Sequence, residues 1–193
     1  MVCCFLLPFQ ESTSLNELHM ELPRGDGPSS LALVDRLTHT QSIWSLSLTC
    51  IGARPEDIAV AALLSGLKKN TTLRELTLEV NVLQRAATVF PILSSLCDHP
   101  YLKKLCLRGL NLYELETVLL RDTSKITELD IHENSVGQPL MGLEPFLRAK
   151  AHRPSLTKLG LHCPLGRDEG RLPVMALCNT TRLQTLVLQD NTR

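Results

Sequence analysis

Four side chains in the second half of the chain have the chemistry of a reactive or metal-binding site: Cys106, Asp130, His132 and His162. A thiol, a carboxylate and imidazoles are the donors that zinc and related ions take, and a cysteine beside a histidine is the pairing that generates a thiolate nucleophile. Each of the four sits in a short run of alternating residues, Leu105-Cys106-Leu107, Leu129-Asp130-Ile131-His132 and Leu159-Gly160-Leu161-His162. Alternation of this kind puts the apolar residues on one face of a strand and the others on the opposite face, so the four would share a face. Nothing in their spacing enforces tetrahedral ligation, no oxyanion-hole loop accompanies them, and a bare strand face offers no pocket to exclude water. The expectation is solvated histidines, no metal, no cofactor, no catalytic residue and a protein that is not an enzyme.

The runs that carry these residues belong to a repeat. An aliphatic residue, two variable ones, an aliphatic, one variable and an aliphatic recur at Leu15/Leu18/Met20, Ile43/Leu46/Leu48, Leu73/Leu76/Leu78, Leu102/Leu105/Leu107, Ile126/Leu129/Ile131, Leu156/Leu159/Leu161 and Leu183/Leu186/Leu188. Successive copies start 28, 30, 29, 24, 30 and 27 residues apart, a mean of 28. Each copy reads as a short strand with one buried face. The segments between copies read as helices: Pro55-Glu56-Asp57 opens one with an acidic first turn, and Ile58, Ala61, Ala62, Leu64 and Leu67 follow as an apolar stripe. A helix is about 10 Å across and paired strands lie about 4.8 Å apart, so stacked units must curve, strands inside and helices outside. The predicted fold is an α/β solenoid, a horseshoe of about seven strand-helix repeats with a parallel concave sheet and convex helices.

This pattern resembles the leucine-rich-repeat superfamily, in particular the long-repeat, ribonuclease-inhibitor-like class found in NOD-like receptors and the Ran GTPase-activating protein. The resemblance covers nearly the whole chain, so residues 1–193 read as a single leucine-rich-repeat domain. In that class the strand leads to an Asn that bonds the turn backbone, a slot filled here by Asn81, Asn134 and Asn191. Pro23, Ile51, Leu110 and Pro164 occupy it in the other units, where the turn must satisfy its backbone differently. The chain opens on what aligns with the end of a convex helix, Leu6 to Ser14, and stops at Gln189-Asp190-Asn191-Thr192-Arg193 after the seventh strand. Solenoids need polar caps, so the expectation is a fragment that lacks both.

The variable strand positions form rows across the stacked units. One row runs Glu75, Lys104, Glu128, Lys158 and alternates in sign; another runs Glu79, Arg108, His132, His162, with Asp130 between the two. Such a ladder relieves like-charge stacking through cross-strand pairs, and it also suits recognition of a protein of complementary charge. Trp44, the sole tryptophan, stands at the leading edge of the second strand, where the other units carry Asn16, Arg74, Lys103, Thr127, Thr157 and Gln184. It reads equally as a binding anchor or as packing against a neighbouring loop. The candidate partner-binding face is thus Trp44, Glu75, Glu79, Lys104, Arg108, Glu128, Asp130, His132, Lys158 and His162.

Composition narrows the partner. Lys plus Arg and Asp plus Glu are 20 each, so no global field draws the molecule to nucleic acid or an anionic membrane. Aromatics make up 4%, too few for a base-stacking surface, and the apolar start from Val2 to Phe9 is too short to span a bilayer. Seven scattered cysteines without a CxxC pair suit a reducing, cytoplasmic setting. Asn70-Thr71-Thr72 and Asn179-Thr180-Thr181 match the glycosylation sequon, which matters only in a secreted chain. A protein partner is expected, with no small-molecule substrate. The resemblance implies an interaction scaffold within a larger receptor or regulatory protein. Alternatively it implies a GTPase-activating module, although no matching rim residue is found, or a ubiquitin-ligase substrate receptor, although no F-box-like segment precedes the repeats.

Overall fold

The structure, a computed structural model, describes residues 15–22, 40–51, 66–67, 69–81, 99–109, 125–132, 155–163 and 183–190. Within them the seven repeats give seven strands: β1 (Glu17–Leu22), β2 (Ser45–Ile51), β3 (Glu75–Asn81), β4 (Lys104–Arg108), β5 (Glu128–His132), β6 (Lys158–Cys163) and β7 (Thr185–Asp190). They form one sheet in the order β1-β2-β3-β4-β5-β6-β7, and all neighbours are parallel. One parallel strand per repeat, in chain order, is the architecture of a leucine-rich-repeat solenoid. The predicted helix that opens at Pro55-Glu56-Asp57 lies outside the described residues except for its end. There Gly66 and Leu67 are helical and Leu67 is buried. The turn residues Pro23, Leu110, Asn134, Pro164 and Asn191, and the two chain ends, lie outside as well. No helix among the described residues is long and apolar enough to cross a membrane.

Register follows directly from the repeat. Leu76 pairs with Leu46 on one side and Leu105 on the other, and Leu129 continues the row to Leu159. Every aliphatic slot of the second to sixth units is buried, at 5% exposure or less. Slots in β1 and β7 are half-buried, because a terminal strand of the sheet has a neighbour on one side only. A backbone pattern repeats at each junction: the carbonyl of Asn16 accepts from Trp44 and Ser45, that of Trp44 from Arg74 and Glu75, that of Arg74 from Lys103 and Lys104, and so on to Thr157 with Gln184 and Thr185. Thus the leading edge of every unit is fixed to the one before it. After β4, Gly109 has φ of 78°, a left-handed conformation that favours glycine, and its N–H donates to the His132 carbonyl at 2.8 Å. In this unit, where Leu110 replaces the turn Asn, a glycine directs the exit from the strand.

Three residues before the first aliphatic slot, two units use different side chains for one task. Asn70 Oδ1 accepts from the backbone N–H groups of Thr72 and Leu73 at 2.8 and 2.9 Å, and its Nδ2 donates to the Thr40 carbonyl at 2.8 Å. At the equivalent place His99 Nδ1 accepts from Tyr101 N–H and Leu102 N–H at 3.2 and 3.1 Å, while Nε2–H donates to the Asn70 carbonyl at 2.7 Å. Both residues are buried. The amide of the Asn70 sequon is therefore committed to the fold; Asn179 lies outside the described residues.

These bonds require a neutral His99 with its proton on Nε2. Burial, ahead of the opposing backbone bonds to Asn70 and Leu67, holds its pKa below the ordinary 6.5. The unfolded chain then takes up this proton at a higher pH than the folded one. Stability should accordingly fall as pH drops through 6.5 and level off once the folded form also titrates. His132, shifted in the same direction, adds to the slope. Thermal midpoints measured from about pH 8 to about pH 5 check this: His99→Asn, which keeps an acceptor in the slot, should retain the fold and show a shallower slope than the parent.

Candidate functional site

One face of the sheet is the leucine layer; the other carries the variable residues, and its rows are those read from the repeat. Glu75, Lys104, Glu128 and Lys158 are successive register partners, as are Glu79, Arg108, His132 and His162. The ladder closes in twos. Lys104 Nζ lies 3.4 Å from Glu75 Oε2 and Lys158 Nζ lies 3.6 Å from Glu128 Oε2. All four side chains are more than a third exposed, so each pair contributes about 0–1 kcal/mol. Arg108 is exposed and Glu79 half-buried. They are register partners, but they form no ion pair with each other.

Trp44 is exposed at the leading edge, at 37%. Two residues that the sequence did not single out join it there. Tyr101 is 42% exposed, and the Arg74 guanidinium lies 4.9 Å from its ring centroid in a cation–π contact. Arg74 Nη1 also donates to the Thr71 carbonyl at 2.9 Å. Tyr101 sits just before the slot where the repeat begins, so the alternation of the strand does not reach it.

The centre of the face is built differently from a flat, wet sheet. Cys106, Asp130 and Gly160 are neighbours in the middle row. The Asp130 carboxylate lies against Gly160, in space that a Cβ at that position would occupy. Glycine within a strand marks this kind of close approach. Beside it the His132 and His162 rings stack with centroids 3.9 Å apart and planes within 2°. Asp130 Oδ2 is 3.4 Å from His132 Nε2 and Oδ1 is 3.0 Å from His162 Nε2. On its far side His162 Nδ1 meets Gln189 Oε1 at 2.7 Å.

At the centre of the face, His132 and His162 are therefore not freely solvated. Asp130 Oδ1 and His132 Nε2 are both buried and without a hydrogen-bond partner. Their contacts are close enough, so it is direction that fails. An unmatched buried polar atom costs about 1–3 kcal/mol. Burial, then the neighbouring His162, lower the His132 pKa, with Arg108 adding to them and Asp130 opposing. Cys106 is a free thiol at 5% exposure. Burial pushes its pKa up, Asp130 acts in the same sense, and Arg108 and Thr77 offset part of the rise. A raised thiol pKa opposes nucleophilic chemistry, which runs through the thiolate.

No family model matches the chain, and no curated protein matches it. Among solved structures, the chain is similar to the C-terminal domain of tropomodulin from Caenorhabditis elegans, at 14% identity and a TM-score of 0.49 over 93% of this chain and 92% of that one. That likeness is too loose to carry fold or function, which rest on the repeat and its register.

Proposed function

We propose that the chain is a protein-interaction scaffold whose partner docks on the open face of the sheet. One observation carries this reading: an in-register face with two couples of opposite charge, Glu75–Lys104 and Glu128–Lys158, with Trp44 and Tyr101 exposed along its leading edge, backed by an aliphatic layer buried from β2 to β6. A rigid platform of this kind loses little conformational freedom on binding, aromatic residues supply the apolar anchors, and the charge pattern sets orientation and on-rate. The mean repeat of 28 residues supports placing it in the long-repeat, ribonuclease-inhibitor-like class. The same reading includes a partner that is a protein rather than nucleic acid, membrane or small molecule, no enzymatic reaction, a reducing cytoplasmic setting, and a place within a larger receptor or regulatory assembly.

The double substitution Glu75→Lys/Glu128→Lys tests it. Both positions are at least a third exposed, so losing the two pairs, each worth about 0–1 kcal/mol, and setting lysines beside lysines should cost about 2 kcal/mol of stability at most. Affinity for a partner captured by the parent chain should fall at least about tenfold, or 1.4 kcal/mol. Binding is measured by titration with the purified partner and stability by thermal melting. Loss of stability with unaltered binding would make the ladder a structural device and remove the face from recognition.

A further inference from the structure

We propose that Cys106 Sγ, Asp130 carboxylate and His132 Nε2 form a binding site for a zinc-like divalent transition metal ion at the centre of the open face, with a fourth coordination position left open. The three residues come from two adjacent strands, β4 and β5, and their ligand atoms all lie within 4.8 Å of one another. A tetrahedral ion with ligands at about 2.0–2.3 Å brings them to about 3.3–3.8 Å apart, a contraction within reach of side-chain rotation. Asp130 Oδ2 and His132 Nε2 already stand 3.4 Å apart.

A further observation points to a cation. Asp130 Oδ1 and His132 Nε2 are buried yet have no hydrogen-bond partner, and both are electron-pair donors. A bound ion is the species that would satisfy lone pairs gathered in one place. The donor set selects the ion: one sulfur, one imidazole nitrogen and one carboxylate oxygen suit zinc and its neighbours, not magnesium or calcium, which take oxygen. Gly160 permits the arrangement, because any larger residue would displace the Asp130 carboxylate. His162 acts as a positioning residue. Its ring stacks on that of His132 with centroids 3.9 Å apart and is fixed by Nδ1–H donating to Gln189 Oε1 at 2.7 Å, outer support of the kind that metal-ligand histidines commonly have. The site is independent of any protein partner, although its open position faces the side on which one would dock.

The test uses the full chain, stripped with a chelator and kept reduced, and titrated with cobalt(II) as the spectroscopic probe for zinc. One cobalt per chain should bind, with a near-ultraviolet thiolate-to-cobalt charge-transfer band, and zinc should displace it. The band should be absent from both Cys106→Ser and His132→Asn, with far-ultraviolet circular dichroism reporting their folding. His132 is partly exposed, so its substitution keeps the test decisive if the buried Cys106→Ser chain fails to fold. His162→Gln should keep the band with affinity lowered about 10–100-fold. No thiolate band in the parent chain would overturn the proposal. So would a band that survives in Cys106→Ser, since another cysteine would then be the ligand, or one undiminished in His132→Asn, since the imidazole would then not be a ligand.

Discussion

Asn70→Ala is expected to lower the free energy of unfolding by about 2–4 kcal/mol, a large effect for a polar residue. Its side chain closes the turn before the third strand from both directions: Oδ1 takes the Thr72 and Leu73 N–H groups, and Nδ2 ties that turn to the Thr40 carbonyl of the preceding unit. At 3% exposure, water does not replace these bonds when the amide is removed. Asn70→Asp separates the two functions, since the acceptor oxygen remains while the donor to Thr40 is lost; it should fall between the parent and the alanine variant. Urea unfolding followed at constant m-value measures both. A loss below about 0.5 kcal/mol for the alanine variant would show that the turn is held by other means.

Leu105→Ala should cost about 2–5 kcal/mol. Leu105 has no exposure and lies in register between Leu76 and Leu129, which are themselves buried. The strands on either side leave it little room to collapse. Leu186, the same slot in β7, is half-buried, and its alanine variant should lose less than half as much. In a linear array the central deletion also weakens the coupling between the units on its two sides. Hydrogen exchange should therefore accelerate through β4 and β5 in Leu105→Ala and remain local in Leu186→Ala. Equal costs at the two positions would contradict the gradient of burial along the sheet.

Strand positions, their parallel order and the rows across them were legible in the sequence because a single phase, set by the aliphatic slots, governs all seven units. From that phase the row Glu75, Lys104, Glu128, Lys158 follows, whereas its closure as Glu75–Lys104 and Glu128–Lys158 rather than Lys104–Glu128 does not. Side-chain arrangement beyond the phase was not legible. Asn70 and His99 occupy one structural slot, but an amide and an imidazole look unrelated until both are seen accepting from the same two backbone N–H groups. The cluster around Asp130 depends on which way one carboxylate leans. The only sequence signal for that was Gly160, a strand residue with no side chain of its own. His132 and His162 were correctly placed in one row, whereas their stacking and the burial of His132 Nε2 depend on rotamers, which periodicity does not specify. Tyr101 precedes the alternating stretch, so periodicity does not reach it.

The charge ladder has a longer period than the fold. Strand and leucine layer repeat with every unit, whereas the ion pairs bind units in couples, Glu75 with Lys104 and Glu128 with Lys158. Copying one of these units next to itself would leave the leucine layer continuous but set two like charges side by side; copying a couple would preserve the alternation. Lengthening or shortening of this array by recombination is therefore electrostatically favoured in steps of two repeats, even though the backbone accepts steps of one.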